Sequence, residues 1–293
     1  MINVYSWRKS NIYKTYLLII TFIVLIALLG KFFSWYFHNY WFFYFSLIFA
    51  LLSVLVNYWY SDKIILWRVG GKLIEKKDNP EIYRLVENLA ITAGLPTPKI
   101  YLINESAPNA FATGRAPKCS AVAVTKGLLE KLNKSELEGV IAHELSHIKN
   151  RDTLLMTLVA ALVGVVAVLS DWYWRISFWW GGDDDNRGNI LFFLVGILAS
   201  VIAYVAAILI QLAISRRREF LADASAVLLT RYPEGLISAL EKISQDPTQM
   251  RKVPSGAAHL FIANPFKKKS FLISLFSTHP PIKERIAKLR EME

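Results

Sequence analysis

Four stretches of this chain are apolar over the length a lipid bilayer demands, and that constrains the molecule before anything else. A helix needs about 20 apolar residues to cross a hydrocarbon layer roughly 30 Å thick. The first run lies at about 15–36 and is interrupted only by Lys31, whose long side chain can reach a membrane surface. The second lies at about 41–60, bounded by Trp41 and Tyr60 as at a membrane interface. The third and fourth lie at about 153–170 and 190–214. A composition that is 54% hydrophobic, with a mean hydropathy of +0.34, is too apolar for an ordinary soluble domain. The first run is too long for the apolar part of a cleaved signal, and no small-residue cleavage site follows it. It reads as an anchor that stays.

Basic residues give an orientation. The formal net charge is +11. Lysine and arginine crowd the segment before the first run, the 61–152 region and the 215–293 region. The 171–189 loop sets Arg175 and Arg187 against Asp171, Asp183, Asp184 and Asp185. Cytoplasmic segments attract the positive charge. Both termini and both globular regions are therefore expected in the cytoplasm, with the loop outside and four spans between; the alternative for the third and fourth runs is a buried or re-entrant hairpin. The expected architecture is an α+β integral membrane protein: four transmembrane helices and a mainly helical cytoplasmic catalytic domain with a small β-sheet. Its segments are 1–60 (tail and first hairpin), 61–152 (first part of the cytoplasmic domain), 153–214 (second hairpin) and 215–293 (second part). The basic charge has no aromatic stacking module beside it, which argues against nucleic acid as a partner. Cys119 is the single cysteine, so no internal disulfide forms, and it reads as a strand residue rather than a nucleophile.

Within 61–152, Asn79 and Pro80 predict a helix start, and Gly94-Leu95-Pro96 stops that helix after Ala93. Lys99 to Ile103, Asn109 to Gly114 and Ala121 to Val124 read as short strands. Next comes Ser135-Glu136-Leu137-Glu138, a capping-box pattern with Ser135 as N-cap and Glu138 at N3. Apolar residues at Leu137, Val140, Ile141, Leu145 and Ile148 continue at helical spacing.

That helix carries His143-Glu144-Leu145-Ser146-His147. Residues four apart share a helix face, so His143 and His147 can offer two imidazole nitrogens to one metal ion. Glu144 stands beside the first of them, placed to take a proton from an attacking water. The pattern suits hydrolytic zinc: two neutral nitrogen ligands, a third protein ligand, an open position and a carboxylate base. With only five histidines in the chain, chance rarely produces it. The third ligand follows from topology. The metal helix runs almost directly into the third apolar run, and Glu219 emerges a few residues after the fourth. If those runs pack as an antiparallel hairpin, Glu219 returns beside His147. Without that topology, Glu219 would read as a surface charge paired with Arg216, Arg217 and Arg218. Asp223, four residues on, would accept a hydrogen bond from a ligand imidazole and fix its tautomer. His147 lies only about 10 Å of helix from Leu154, so the metal should sit close to the cytoplasmic membrane surface.

The metal helix, Glu219-Phe-Leu-Ala-Asp223, Asn109-Ala-Phe-Ala-Thr-Gly114, and Ser277-Thr-His-Pro-Pro281 followed by Arg285 together resemble the HtpX heat-shock membrane metalloproteases, relatives of the CAAX prenyl proteases. The resemblance covers nearly the whole chain. It implies a zincin-type fold and a zinc endopeptidase of the gluzincin group, with one Zn2+ per chain, acting on misfolded or damaged membrane proteins at the cell (plasma or inner) membrane. Carried over by position, His143, His147 and Glu219 would be ligands and Glu144 the general base. Asn109, Ala110 and Phe111 would lie on the edge strand that pairs with an extended substrate. His279 would stabilise the oxyanion, and Arg285 would support it. The partners implied are protein substrates and the bilayer. Rival readings are a transporter, a scaffold without activity and a prenyl protease. The first expects ionisable groups inside the spans, which offer little beyond Asn57 and Gln211. The second expects loss of the base or a ligand, and the third more spans.

Overall fold

The computed structural model describes residues 4–36, 38–162, 165, 216–251, 253, 255–265 and 280–292. The fourth apolar run, most of the third, the 171–189 loop, Lys267 to Lys269 and His279 lie outside the described residues.

Two long helices open the chain, α1 (Val4–Tyr36) and α2 (Trp41–Arg68). Within them, Asn11–Trp35 and Trp41–Arg68 are long and apolar enough to cross a membrane by length and composition. Their outward side chains are large and apolar, among them Ile20, Leu28, Phe45, Ile48 and Leu55, each more than half exposed. A surface of that kind suits lipid rather than water. Trp41 and Trp59 are separated by about 27 Å of helix, close to the thickness of a hydrocarbon core. The ring of Trp59 carries the Arg115 guanidinium 3.8 Å from its centroid, which ties that end of α2 to the globular part. The helix continues past Tyr60 for two more turns, and there Ile65 and Leu66 are buried in a core shared with the sheet.

The sheet has four strands, β1 (Gly71–Ile74), β2 (Lys99–Ile103), β3 (Ala110–Thr113) and β4 (Ala121–Thr125), in the order β1-β2-β4-β3. β2 and β4 run parallel; the two outer pairings are antiparallel. Every residue of β3 and β4 is buried, and their alternation divides them between two cores. Ala110, Ala112, Val122 and Val124 pack with the helical half of the domain. Phe111, Ala121 and Ala123 pack with the end of α2 and with Phe261. Three strand positions agree with the sequence, while β1 was not foreseen. Cys119 sits in an exposed 3₁₀ turn before β4, not in a strand.

Asn79 caps α3 (Pro80–Ala93), accepting from the Ile82 amide, and Gly94 ends it in the left-handed region at φ 70°. After the short α4 (Lys126–Lys131) comes α5 (Lys134–Lys149), the metal helix. Its cap is Asn133, not Ser135. Asn133 accepts from the Glu136 amide, and the Glu136 carboxylate reaches back to the Asn133 amide at 2.8 Å. Both registers satisfy the capping pattern, and tertiary contacts select this one, because Glu136 also takes Ser238 and Lys242. α5 ends at Lys149 with Asn150 as its C-cap; Arg151 turns left-handed at φ 60°, and α6 (Asp152–Leu162) begins at once. α6 packs on the first hairpin through Leu155, Val159 and Leu162 against Leu18, Phe22, Ile26 and Ala50. The remaining helices are α7 (Arg216–Thr230), α8 (Pro233–Gln245) and α9 (Ile282–Arg290).

α5 and α8 touch backbone to backbone. A Cβ on Gly139 would lie 2.7 Å from the Leu236 nitrogen, and one on Gly235 would lie 2.6 Å from the Ser135 oxygen. In a free helix Gly139→Ala would gain up to about 1 kcal/mol. Here overpacking of about 1–3 kcal/mol opposes that gain. Gly139→Ala should therefore lower the thermal midpoint of the purified protein; a midpoint at or above wild type would show that α8 yields freely.

Candidate active site

The metal helix is buried almost throughout, from Glu136 to Ile148. His143, Glu144 and His147 therefore stand in the protein interior, where a polar group without a partner is costly. α7 enters beside them. His143, His147 and Glu219 bring ligand atoms within 4.8 Å of one another, all three residues buried. Glu219 lies 3.7 Å from His143 Nε2 and 3.6 Å from His147 Nε2.

Each imidazole is held from behind by a carboxylate. His143 Nδ1 lies 2.9 Å from Asp223 Oδ1, and His147 Nδ1 lies 3.0 Å from Asp152 Oδ2. A carboxylate accepts, so each Nδ1 carries the hydrogen and each neutral ring presents its Nε2 lone pair. Those two nitrogens face each other at 3.2 Å. Two lone pairs at that distance repel unless a proton or a cation lies between them. Asp223 is in turn gripped by Arg285, whose Nε and Nη2 donate to its two oxygens at 2.9 and 2.6 Å. Arg285 Nη1 lies 3.6 Å from Glu219 and also donates to the Ile262 carbonyl at 3.2 Å.

The charges count toward a cation. Glu144, Asp152, Glu219 and Asp223 are four buried carboxylates; Arg218 and Arg285 are two buried guanidiniums. With both histidines neutral, and with half-buried Lys14 adding its charge beside Asp152, this cluster is still short of positive charge, which a metal cation would supply. The donor set, two imidazoles and a carboxylate, is one that zinc favours.

The proton affinities reflect this crowding. Burial pushes the Glu144 carboxyl up to about 7, helped by the Glu219 charge and opposed by His147, Arg285 and the Ala112 backbone. His147 is pushed up to about 9: burial works downward, but the Asp152 hydrogen bond and the charges of Glu219, Asp152 and Glu144 outweigh it. His143 is pushed down by burial and by Arg285, against the pull of Asp223. Burial works to raise the Asp223 carboxyl, and Arg285 and His143 overcome it and hold it low.

The expected substrate-strand residues are placed differently from one another. Asn109 is buried; its side chain donates to the Ala263 carbonyl at 2.9 Å and accepts from the Ala263 amide at 3.3 Å. Phe111 is wholly buried, its ring 4.8 Å from that of Phe261. Ala110 accepts the Ile262 amide through its carbonyl at 2.9 Å. The outer edge of β3 is thus lined by residues 261–263. His279 lies outside the described residues. Asp152, Asn11 and Arg218 belong to the cluster and were not foreseen. Asp152 lies five residues beyond His147, off the helical repeat, and it returns to the ring only because the chain breaks at Arg151.

The sequence profile of Peptidase family M48 matches residues 76–293, which include every residue of the His143, His147 and Glu219 group. The chain belongs to that family. Curated relatives named Protease HtpX homolog extend the likeness into the first hairpin. One from Caldanaerobacter subterraneus subsp. tengcongensis is 45% identical over 98% of this chain and 97% of its own length. One from Tropheryma whipplei is 44% identical over 98% of each. One from Pyrococcus furiosus is 47% identical over 83% of this chain and 84% of its own. Among solved structures, Ste24p of S. mikatae is similar at a TM-score of 0.49 and 18% identity, over 97% of this chain and 66% of that one. As an M48 peptidase the chain is a membrane metalloprotease, a hydrolase of peptide bonds, and proteins are its substrates.

Metal uptake should release a proton. In the metal-free protein His147 stays protonated until about pH 9, and a ligand nitrogen must be bare. Apparent affinity should thus rise with pH between 6 and about 9, by up to about tenfold per unit. Calorimetric zinc titration in buffers of different ionisation heat would check this; uptake without proton release at pH 7 would contradict it.

Proposed function

We propose that this peptidase uses one zinc ion, held by His143, His147 and Glu219, to cut misfolded or damaged membrane proteins at the cytoplasmic face of the cell membrane. The observation that carries the reading is the convergence of two carboxylate-backed Nε2 atoms and Glu219 in a water-poor interior. When bound, zinc supplies Lewis acidity to the attacking water and the scissile carbonyl.

The chain's own residues do the rest. Glu144 is the general base: it takes the proton of the attacking water and later gives it to the leaving nitrogen. Its Oε2 is buried and has no hydrogen-bond partner among the described residues, which leaves it open to a water proton. The upward push on its carboxyl favours this shuttle, since a base poised near the working pH both accepts and returns a proton. A bound cation draws that value below about 7. Asp223 orients His143, and Arg285 holds Asp223. Oxyanion support falls to His279 by its sequence position. The substrate runs along the outer edge of β3, exchanging with the Ile262 amide at Ala110. Asn109 and Phe111 hold that edge in place from behind.

The membrane assignment extends to four spans, with termini and catalytic domain in the cytoplasm, on the strength of the four apolar runs and the basic residues beside them. The site's place next to α6 favours substrates that are themselves in the bilayer.

Detergent-purified protein should cleave unfolded casein with zinc and not with chelator. Glu144→Gln should lower the turnover by about 10²–10⁴-fold while one zinc per chain remains bound. The acid limb of the wild-type rate should fall at or somewhat below pH 7, because protonated Glu144 cannot accept. Glu219→Gln should lose the metal. Equal cleavage by wild type and Glu144→Gln would overturn the assignment of the base; no zinc on the wild type would overturn the metal site.

A further inference from the structure

His147 is held by a carboxylate that comes from beyond the end of its own helix. Asp152 is wholly buried, and its Oδ2 takes the His147 Nδ1–H. Its other oxygen, Oδ1, accepts from Asn11 Nδ2 at 2.6 Å and lies 3.3 Å from Arg218 Nε. The same Asn11 nitrogen donates to the Asn150 carbonyl at 3.2 Å. Asn150 and Asp152 flank Arg151, the left-handed residue that breaks α5 from α6. One side-chain amide therefore clamps both sides of the break.

Asn11 belongs to a distant part of the chain, 141 residues from Asp152. It is the first residue of the apolar run Asn11–Trp35 and is only 1% exposed. From there α1 follows α6, with Leu18, Phe22 and Ile26 packed on Leu155 and Val159. A polar side chain buried at this place needs its partners, and those partners are the carboxylate behind a metal-binding histidine and the carbonyl beside it.

We propose that Asn11 is a positioning residue for the metal centre: it fixes Asp152, Asp152 fixes the His147 ring, and the first membrane helix thereby holds part of the site's geometry. This rests on the zinc reading above. An imidazole turns about its Cβ–Cγ bond, and a carboxylate behind it restrains it only if that carboxylate is itself held. Arg218 offsets the charge of Asp152 from 3.3 Å but makes no hydrogen bond to it. Asn11 donates a hydrogen bond to that same Oδ1, ties it to the Asn150 carbonyl and is neutral. A lysine there would hold Asp152 as well, yet would add positive charge beside the place where a divalent cation must bind.

The test is a zinc titration against a competing chelator, on full-length detergent-purified protein, with the visible spectrum of the cobalt-substituted protein as a second readout. Asp152→Ala should weaken zinc binding about 10–100-fold, as loss of a partner behind a ligand does. Asp152→Asn keeps an acceptor and should recover part of that loss; it also stands in if Asp152→Ala fails to fold. Asn11→Ala should weaken binding about three- to tenfold and shift the cobalt bands. Asn11→Lys should weaken it at least as much. The double variant Asn11→Ala/Asp152→Ala should be no worse than Asp152→Ala, because Asn11 acts through Asp152. Leu18→Ala loosens the same helix contact without touching the clamp and should leave zinc affinity unchanged. Wild-type affinity and bands in Asn11→Ala, additive losses in the double variant, or an equal loss in Leu18→Ala would each overturn the inference while the metal site stands. A wild type that binds no zinc overturns the metal site and this inference with it.

Discussion

Two hydrogen bonds set the geometry on which the rest depends, His143 to Asp223 and His147 to Asp152. Helical spacing puts two histidines on one face, but it does not decide where their nitrogens point. A carboxylate behind each Nδ1 does, by fixing tautomer and ring angle together. The two carboxylates come from different elements, one on α7 and one at the start of α6. Their rings meet almost at right angles, 90° between planes, with both Nε2 atoms on the shared side. Such a pair of nitrogens stays together because the surrounding backbone is already committed and a proton or a cation lies between them.

That commitment is electrostatic as well as steric. The first two turns of α7 deliver Arg218, Glu219 and Asp223, all buried. α9 delivers Arg285, which bridges Asp223, Glu219 and the Ile262 carbonyl. Removing any one of these leaves an unmatched charge in a low-dielectric interior, a cost of several kcal/mol in typical cases. The cluster is therefore best regarded as one unit, which the proposed metal ion would close. Its segments are distant in sequence, and they pack on the same α5 and the same small-residue strands. Alanine at residues 110, 112, 121 and 123 lets both cores approach the sheet closely.

Much of this was legible in the chain. The His-Glu-x-x-His spacing exposes α5, because a helix is a rule about neighbours three and four apart. Asn79, Pro80 and Gly94 mark α3 by local backbone chemistry. The meeting of Glu219 with the histidines needed topology, and reading the two apolar runs between them as an antiparallel hairpin supplied it. What escaped was set by distance or by exceptions. β1 has only four residues, with Lys72 and Leu73 both exposed, so it shows no alternation. The cap of α5 was placed on Ser135, two residues late: Asn133 fits the same pattern, and Ser238 and Lys242 on Glu136 select it. Asp152 required the left-handed turn at Arg151, and no pattern of residue types announces that turn. A single asparagine at the start of an apolar helix reads as a polar flank; only the folded chain brings it to Asp152.

α2 has a mechanical meaning. It passes from the apolar run into the domain core as one unbroken helix, 28 residues and about 42 Å long. Its last turns are cemented into the sheet by Ile65 and Leu66, and Arg115 grips Trp59 from the side. The active site thus stands on a post and does not swing on a tether. In the proposed membrane placement it would keep one height above the bilayer and explore by lateral drift and rotation with its own anchor. On that proposal a scissile bond would be reachable only at that height, and depth in the membrane would act as a selection rule alongside any side-chain pocket.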